Sequence, residues 1–186
     1  MTQPALELDT PFWRFSVTAY GQPGVAGACL ALQAARGLDV NLLLFCGWLG
    51  AECSVTLRKA ELAEAAAVAG DWHHRVVVPL RGARTDIKTM PVAVLAEVAR
   101  LREAIKAAEL QSEQIEQALL FQLAERRWPL EASGDGRAAT GGARAALAQN
   151  LQLCLATTPD PLANAGADPP QLTALIKACL RSARAR

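Results

Sequence analysis

The stretch 37-GLDVNLLLFCGWLGAEC-53 decides how the rest of the chain is read. Ten of the eleven residues from Val40 to Gly50 are apolar, aromatic, cysteine or glycine, with Asn41 the one polar interruption. Three readings compete: a membrane segment, a metal or redox site, and a buried helix. The membrane reading fails on length, because a spanning helix needs about 18–20 apolar residues and this run meets a charge at Glu52. Asp39 offers a side-chain acceptor for the free N–H groups of a first helical turn, and Gly37 suits the end of the helix before it. The stretch therefore predicts a short helix buried among others.

Composition points the same way. Hydrophobic residues make up 52% of the 186 and aromatics only 5%, and alanine, leucine, glutamate, lysine and arginine favour helix. Alternating strand-like runs are nearly absent; the best, Arg75 to Val78, is cut by Pro79. The expectation is an all-α bundle of about six to seven helices. A formal net charge of +1 gives no global attraction to nucleic acid or membrane. The five cysteines (Cys29, Cys46, Cys53, Cys154 and Cys179) are odd in number and lie in apolar settings, as buried thiols of a reducing compartment do. No basic region followed by an apolar one marks the N-terminus, so the expected location is the cytoplasm.

Thr10-Pro11 marks the first helix start, and Pro23 opens a second helix with Val25, Cys29 and Leu32 on one stripe. The glycine turn between helices two and three invites comparison with a DNA-reading helix-turn-helix. Leu42, Leu43, Leu44, Phe45 and Trp48, however, offer no group to a base edge. Residues 55–69 form an alanine-rich helix that Gly70 is expected to close, with a short turn to Pro79 behind it. The longest helix is expected over about 91–128. In it Val98, Leu101, Ile105, Ala108, Ser112, Ile115 and Leu119 keep the heptad spacing of a helix packed along a partner. At 1.5 Å per residue it spans roughly 50 Å, so part of it must kink, project or pair. Residues 1–130 form the expected bundle domain and 131–142 a glycine-rich linker. The segment 143–186 supplies C-terminal helices that pack on the bundle and end in the basic "RSARAR".

Candidate sites are sparse. Cys46 and Cys53 with His73 and His74 can be drawn as a zinc set, yet zinc motifs present ligands from turns at tighter spacing. Cys46, Gly50 and Cys53, widened by Gly47 and Ala51, read better as a groove of small residues that admits a neighbouring helix; no metal or cofactor is expected. The two histidines have no tuned nucleophile nearby and read as surface or cap residues, so no catalytic residue is assigned. If their stretch is helical, Arg81, Arg84 and Lys88 share a face and form a weak anion site. Glu109, Glu113 and Glu116 form a matching acidic stripe. The two stripes either pair internally or serve a ligand or partner. Trp13, Trp48 and Trp72 read as core, with a ligand pocket as the rival.

The segments "FWRFSVTAYGQPGV" (Phe12 to Val25), "GLDVNLLLFCGWLG" (Gly37 to Gly50), "VVVPLRGARTDIK" (Val76 to Lys88) and "KAAELQSEQIEQ" (Lys106 to Gln117) carry a resemblance. Over roughly residues 10–128 the chain resembles an uncharacterised bacterial family of small helical proteins. The resemblance implies a bacterial cytoplasmic protein and brings no activity, cofactor or catalytic residue. The functional expectation is a non-catalytic interaction or regulatory protein that self-associates or docks a protein partner through its long helix. The alternative is a helical enzyme or carrier taking a phosphorylated small molecule near Arg81, Arg84 and Lys88.

Overall fold

The computed structural model describes residues 5–128, 141–157 and 170–184. Among them the chain is all-α: α1 (Pro11–Tyr20), α2 (Val25–Arg36), α3 (Val40–Ala51), α4 (Lys59–Trp72), a π turn (His73–Val77), α5 (Val78–Thr89), a 3-10 turn (Pro91–Val94), α6 (Ala96–Arg127), α7 (Gly141–Thr157) and α8 (Pro170–Arg184).

The helix at 40–51 stands at the centre, and ten of its twelve residues are buried. Asp39 caps it: Oδ1 accepts from the backbone N–H of Asn41 at 2.8 Å and of Leu42 at 3.3 Å. Around α3 lie α1, α4, α6, α7 and α8. Phe12, Phe45, Trp48, Phe121 and Trp128 meet in one aromatic cluster, with Phe12 and Trp48 centred 5.4 Å apart. α7 crosses α3 at Gly50, where an added β-carbon would fall 2.5 Å from the Leu147 backbone nitrogen. The small-residue groove is thus filled by α7. Leu147, Leu151 and Cys154 of α7 and Leu172, Leu175 and Cys179 of α8 share one core with α1 to α4 and α6.

Several boundaries differ from the sequence expectation; the second helix starts at Val25 rather than Pro23, and the fourth at Lys59 rather than residue 55. Gly70 does not close the fourth helix, and Pro79 does not exclude helix from Val78. The chain stays helical from Lys59 to Thr89 because the π turn intervenes, with the N–H of Val78 reaching the carbonyl of His73. Pro79 then sits in the first turn of α5, where a missing N–H costs little. The long helix, in turn, starts at Ala96 rather than Pro91, since Pro91 opens the 3-10 turn. Its 32 residues still extend about 48 Å.

α6 divides into two halves. From Ser112 onward its inner face is buried in the bundle, including Glu116, Gln117, Ala118, Leu120, Phe121, Leu123 and Ala124. Before that it runs beside α5, which has no buried residue, and the pair forms an arm. Of the expected linker 131–142, Gly141 and Gly142 belong to α7, and the rest lies outside the described residues. So does most of the proline-rich turn expected over 158–170; of the basic tail, Arg181 to Arg184 continue α8.

Candidate functional site

The spacing of α6 turns Glu109, Glu113 and Glu116 toward the rod formed by α4, the π turn and α5. Arg81 donates from Nε to Glu109 Oε1 at 3.1 Å and from Nη2 to Glu113 Oε1 at 2.6 Å. Arg84 donates to Glu109 from Nε, and from Nη2 at 3.2 Å. Glu109 thus lies buried between two guanidinium groups. Lys88 projects from the exposed side of α5. The two arginines of the expected anion site therefore face carboxylates of their own chain.

Glu116 belongs to a different group. Its side chain is 0% exposed, and Oε2 lies 3.2 Å from Nδ1 of His73. The same nitrogen is 3.5 Å from Oδ2 of Asp39, whose other oxygen caps α3. Three elements thus converge: the start of α3, the start of the π turn, and the middle of α6. His73 is buried, contrary to the surface or cap role expected for it, whereas His74 is exposed with Nδ1 2.7 Å from the carbonyl of Gly70. Sequence reasoning missed the trio because it closed the helix at Gly70. Continuing that helix through His73 would have turned one histidine toward α6, and Asp39 was visible only as a cap.

The electrostatics follow from burial. Burial pushes Glu116 up to about 8, and His73 beside it only partly offsets this, while Asp39 adds to the rise. Burial alone would lower His73, but Glu116 and Asp39 outweigh it and hold the imidazole above its ordinary range. Burial also raises Glu113 in spite of Arg81. Beside the trio, Gln117 donates from Nε2 to Asn41 Oδ1 at 2.8 Å. Oε1 of Glu116 and Oε1 of Gln117 are buried without a hydrogen-bond partner. Asp39, His73 and Glu116 offer two carboxylate oxygens and a nitrogen within 4.8 Å of one another, a donor set able to hold a cation.

The zinc set drawn from the sequence is not assembled. Cys46 lies buried in α3, where a hydrogen bond with Cys154 and burial push its thiol up. Burial raises Cys29 to about 11 and Cys53 and Cys179 to about 12. Thiols so disfavoured as thiolates behave as small hydrophobes. The tryptophans do not share a pocket either. Trp48 is in the aromatic core, and Trp72 donates from Nε1 to the carbonyl of Ser112 at 2.9 Å.

A second surface lies on the arm. Met90, Val92, Val94, Leu95 and Leu101 are all exposed, Val94 at 89% and Leu101 at 54%. Among the described residues no helix is long and apolar enough to cross a membrane.

No curated protein and no solved structure matches the chain. A family model described as "Protein of unknown function (DUF2390)" matches residues 11–120. That span runs from α1 into the second half of α6 and contains Asp39, His73, Arg81, Arg84, Glu109, Glu113 and Glu116; α7 and α8 lie beyond it. With more than half of its length matched, the chain belongs to the DUF2390 family.

Proposed function

We propose that this chain is a non-catalytic helical interaction protein that associates with a second copy of itself through the arm. One observation carries the reading. The heptad stripe of α6 is left largely uncovered by its own bundle: Leu101 and Ala108 stand exposed, and Val98, Ile105, Ile115 and Leu119 are only half-buried. An apolar stripe that continues past its own core favours a partner helix. The flanking charges suit a second copy, because Glu97, Arg100, Glu103 and Lys106 alternate in sign along the exposed half. Two such helices laid antiparallel about a two-fold axis bring opposite charges together. A reducing compartment such as the cytoplasm is the setting that best suits free cysteines such as Cys29, Cys46, Cys53, Cys154 and Cys179. The anion-binding alternative finds no support: Arg81 and Arg84 are already paired with Glu109 and Glu113.

Size-exclusion chromatography with light scattering tests the proposal. At tens of micromolar the wild type should show twice the chain mass. Leu101→Glu should give a monomer of unchanged helicity, because Leu101 is exposed and contributes little to the bundle. A monomeric wild type, or a Leu101→Glu variant of unchanged mass, would sink the reading.

A further inference from the structure

We infer that Asp39, His73 and Glu116 bind one divalent first-row transition-metal ion, of the zinc or manganese kind.

The spacing supports an ion. Metal–ligand bonds of about 2.0–2.2 Å at tetrahedral or octahedral angles leave neighbouring ligand atoms roughly 3.0–3.5 Å apart. His73 Nδ1 lies 3.2 Å from Glu116 Oε2 and 3.5 Å from Asp39 Oδ2. Chemistry narrows the class. One imidazole with two carboxylates suits zinc, manganese or iron. It suits calcium or magnesium less, since they take oxygen ligands alone, and copper(I) less, since it takes sulfur. Two carboxylate charges cancel the charge of a divalent ion, which removes the cost of burying them unpaired.

An independent observation points to a missing ligand. Glu116 is fully buried, its Oε2 faces His73, its carboxyl also meets that of Asp39, and its Oε1 has no donor beside it. Buried polar atoms without partners are few in folded proteins and call for a water or an ion. A second carboxylate bond to the ion would satisfy Oε1. The site is also held in shape beforehand. The Asn41 and Leu42 N–H groups fix Asp39 through Oδ1 and leave Oδ2 to the trio. His73 opens the π turn, and such turns recur at functional sites. The Asp39 side chain is 16% exposed, which gives an ion an edge by which to enter. Three protein ligands leave room for water or another small ligand on the metal.

The test uses the full chain without a histidine tag, stripped with chelator and titrated with Co(II), Zn(II) or Mn(II) alone. One equivalent of Co(II) should bind at micromolar affinity or better, with weak visible ligand-field bands that Zn(II) abolishes. Asp39→Asn keeps a side-chain oxygen for the cap, and Glu116→Gln keeps the shape of α6. Each should weaken Co(II) binding by at least about a hundredfold, since even outer-shell changes cost 10–100-fold. Should Glu116→Gln fail to fold, Asp39→Asn with its melting curve carries the test. Three results would overturn the proposal: no ligand-field band at millimolar Co(II), undiminished binding in folded Asp39→Asn, or intense near-ultraviolet thiolate bands assigning the ion to cysteine.

Discussion

Gly50 has no room for a β-carbon. Such an atom would meet the Cα of Leu147, and it would lie 2.5 Å from the Leu147 nitrogen and 3.0 Å from the carbonyl carbon of Ala146. All three are backbone atoms, so α7 itself would have to move. At Gly47 the nearest obstacle is the Sγ of Cys179 at 3.0 Å, a side-chain atom that can rotate. Overpacking a core costs about 1–3 kcal/mol and occasionally more. Gly50→Ala should therefore lower stability by about 3 kcal/mol or more and Gly47→Ala by about 1, as read from urea midpoints; equal losses would contradict this packing. Asn150 is a second residue of this kind. Fully buried on α7, it donates to the carbonyls of Val55 at 2.8 Å and Cys46 at 3.2 Å and accepts from the N–H of Leu57 at 2.8 Å. Asn150→Ala leaves the Val55 carbonyl and the Leu57 N–H short of a partner, each worth about 1–3 kcal/mol when buried. A loss of about 3 kcal/mol or more is expected; a loss under 1 kcal/mol in urea titration would mean that water replaces the amide.

At the scale of elements, α5 is the exception in an otherwise apolar assembly. With no buried residue of its own, it is held to α6 mainly by Arg81 and Arg84 on Glu109 and Glu113. Hydrogen bonds to charged groups contribute about 1.5–3 kcal/mol each when partly buried. Elements with few apolar contacts open locally at low cost. Glu109→Ala should therefore speed amide exchange across residues 81–89 about tenfold while α3 keeps its protection. Uniform acceleration along the chain, or none, would show that the ion pairs do not hold the arm. The sequence did show that the basic and acidic stripes match in spacing. It could not show that α5 exists as a helix, because Pro79 reads as a stop unless the preceding π turn is known.

At the scale of the whole molecule, α7 and α8 matter although the family match ends at residue 120. Leu147, Leu151, Leu172 and Leu175 are each 1% exposed or less. Burying a leucine contributes about 1.5–3 kcal/mol, so four supply about 6–12 kcal/mol, comparable with the 5–15 kcal/mol of a typical domain. A chain ending at Trp128 would expose the face of α3 that holds Cys46, Gly47 and Gly50. It should keep some helix by circular dichroism but lose its cooperative urea transition. A cooperative transition with an undisturbed midpoint in that shortened chain would falsify the view that the C-terminal helices complete the core.

Local chemistry was legible from the sequence. The Thr10 and Asp39 caps, the glycine turn at Gly37, the burial of 40–51 and the close-approach groove at Gly50 all follow from short-range pattern, because capping, turn geometry and residue size act within a few positions. The all-α class follows from the same periodicity. Tertiary structure alone brought Asp39, His73 and Glu116 together. They lie far apart in the chain, and each has an ordinary local reading: a cap, one of two adjacent histidines, a member of a charged stripe. Only the continuation of the buried Leu62, Ala65 and Ala69 face of α4 to His73, and the crossing of α6 over the start of α3, place three ionisable groups in one buried volume. There their desolvation, invisible to any window of sequence, turns them into a site.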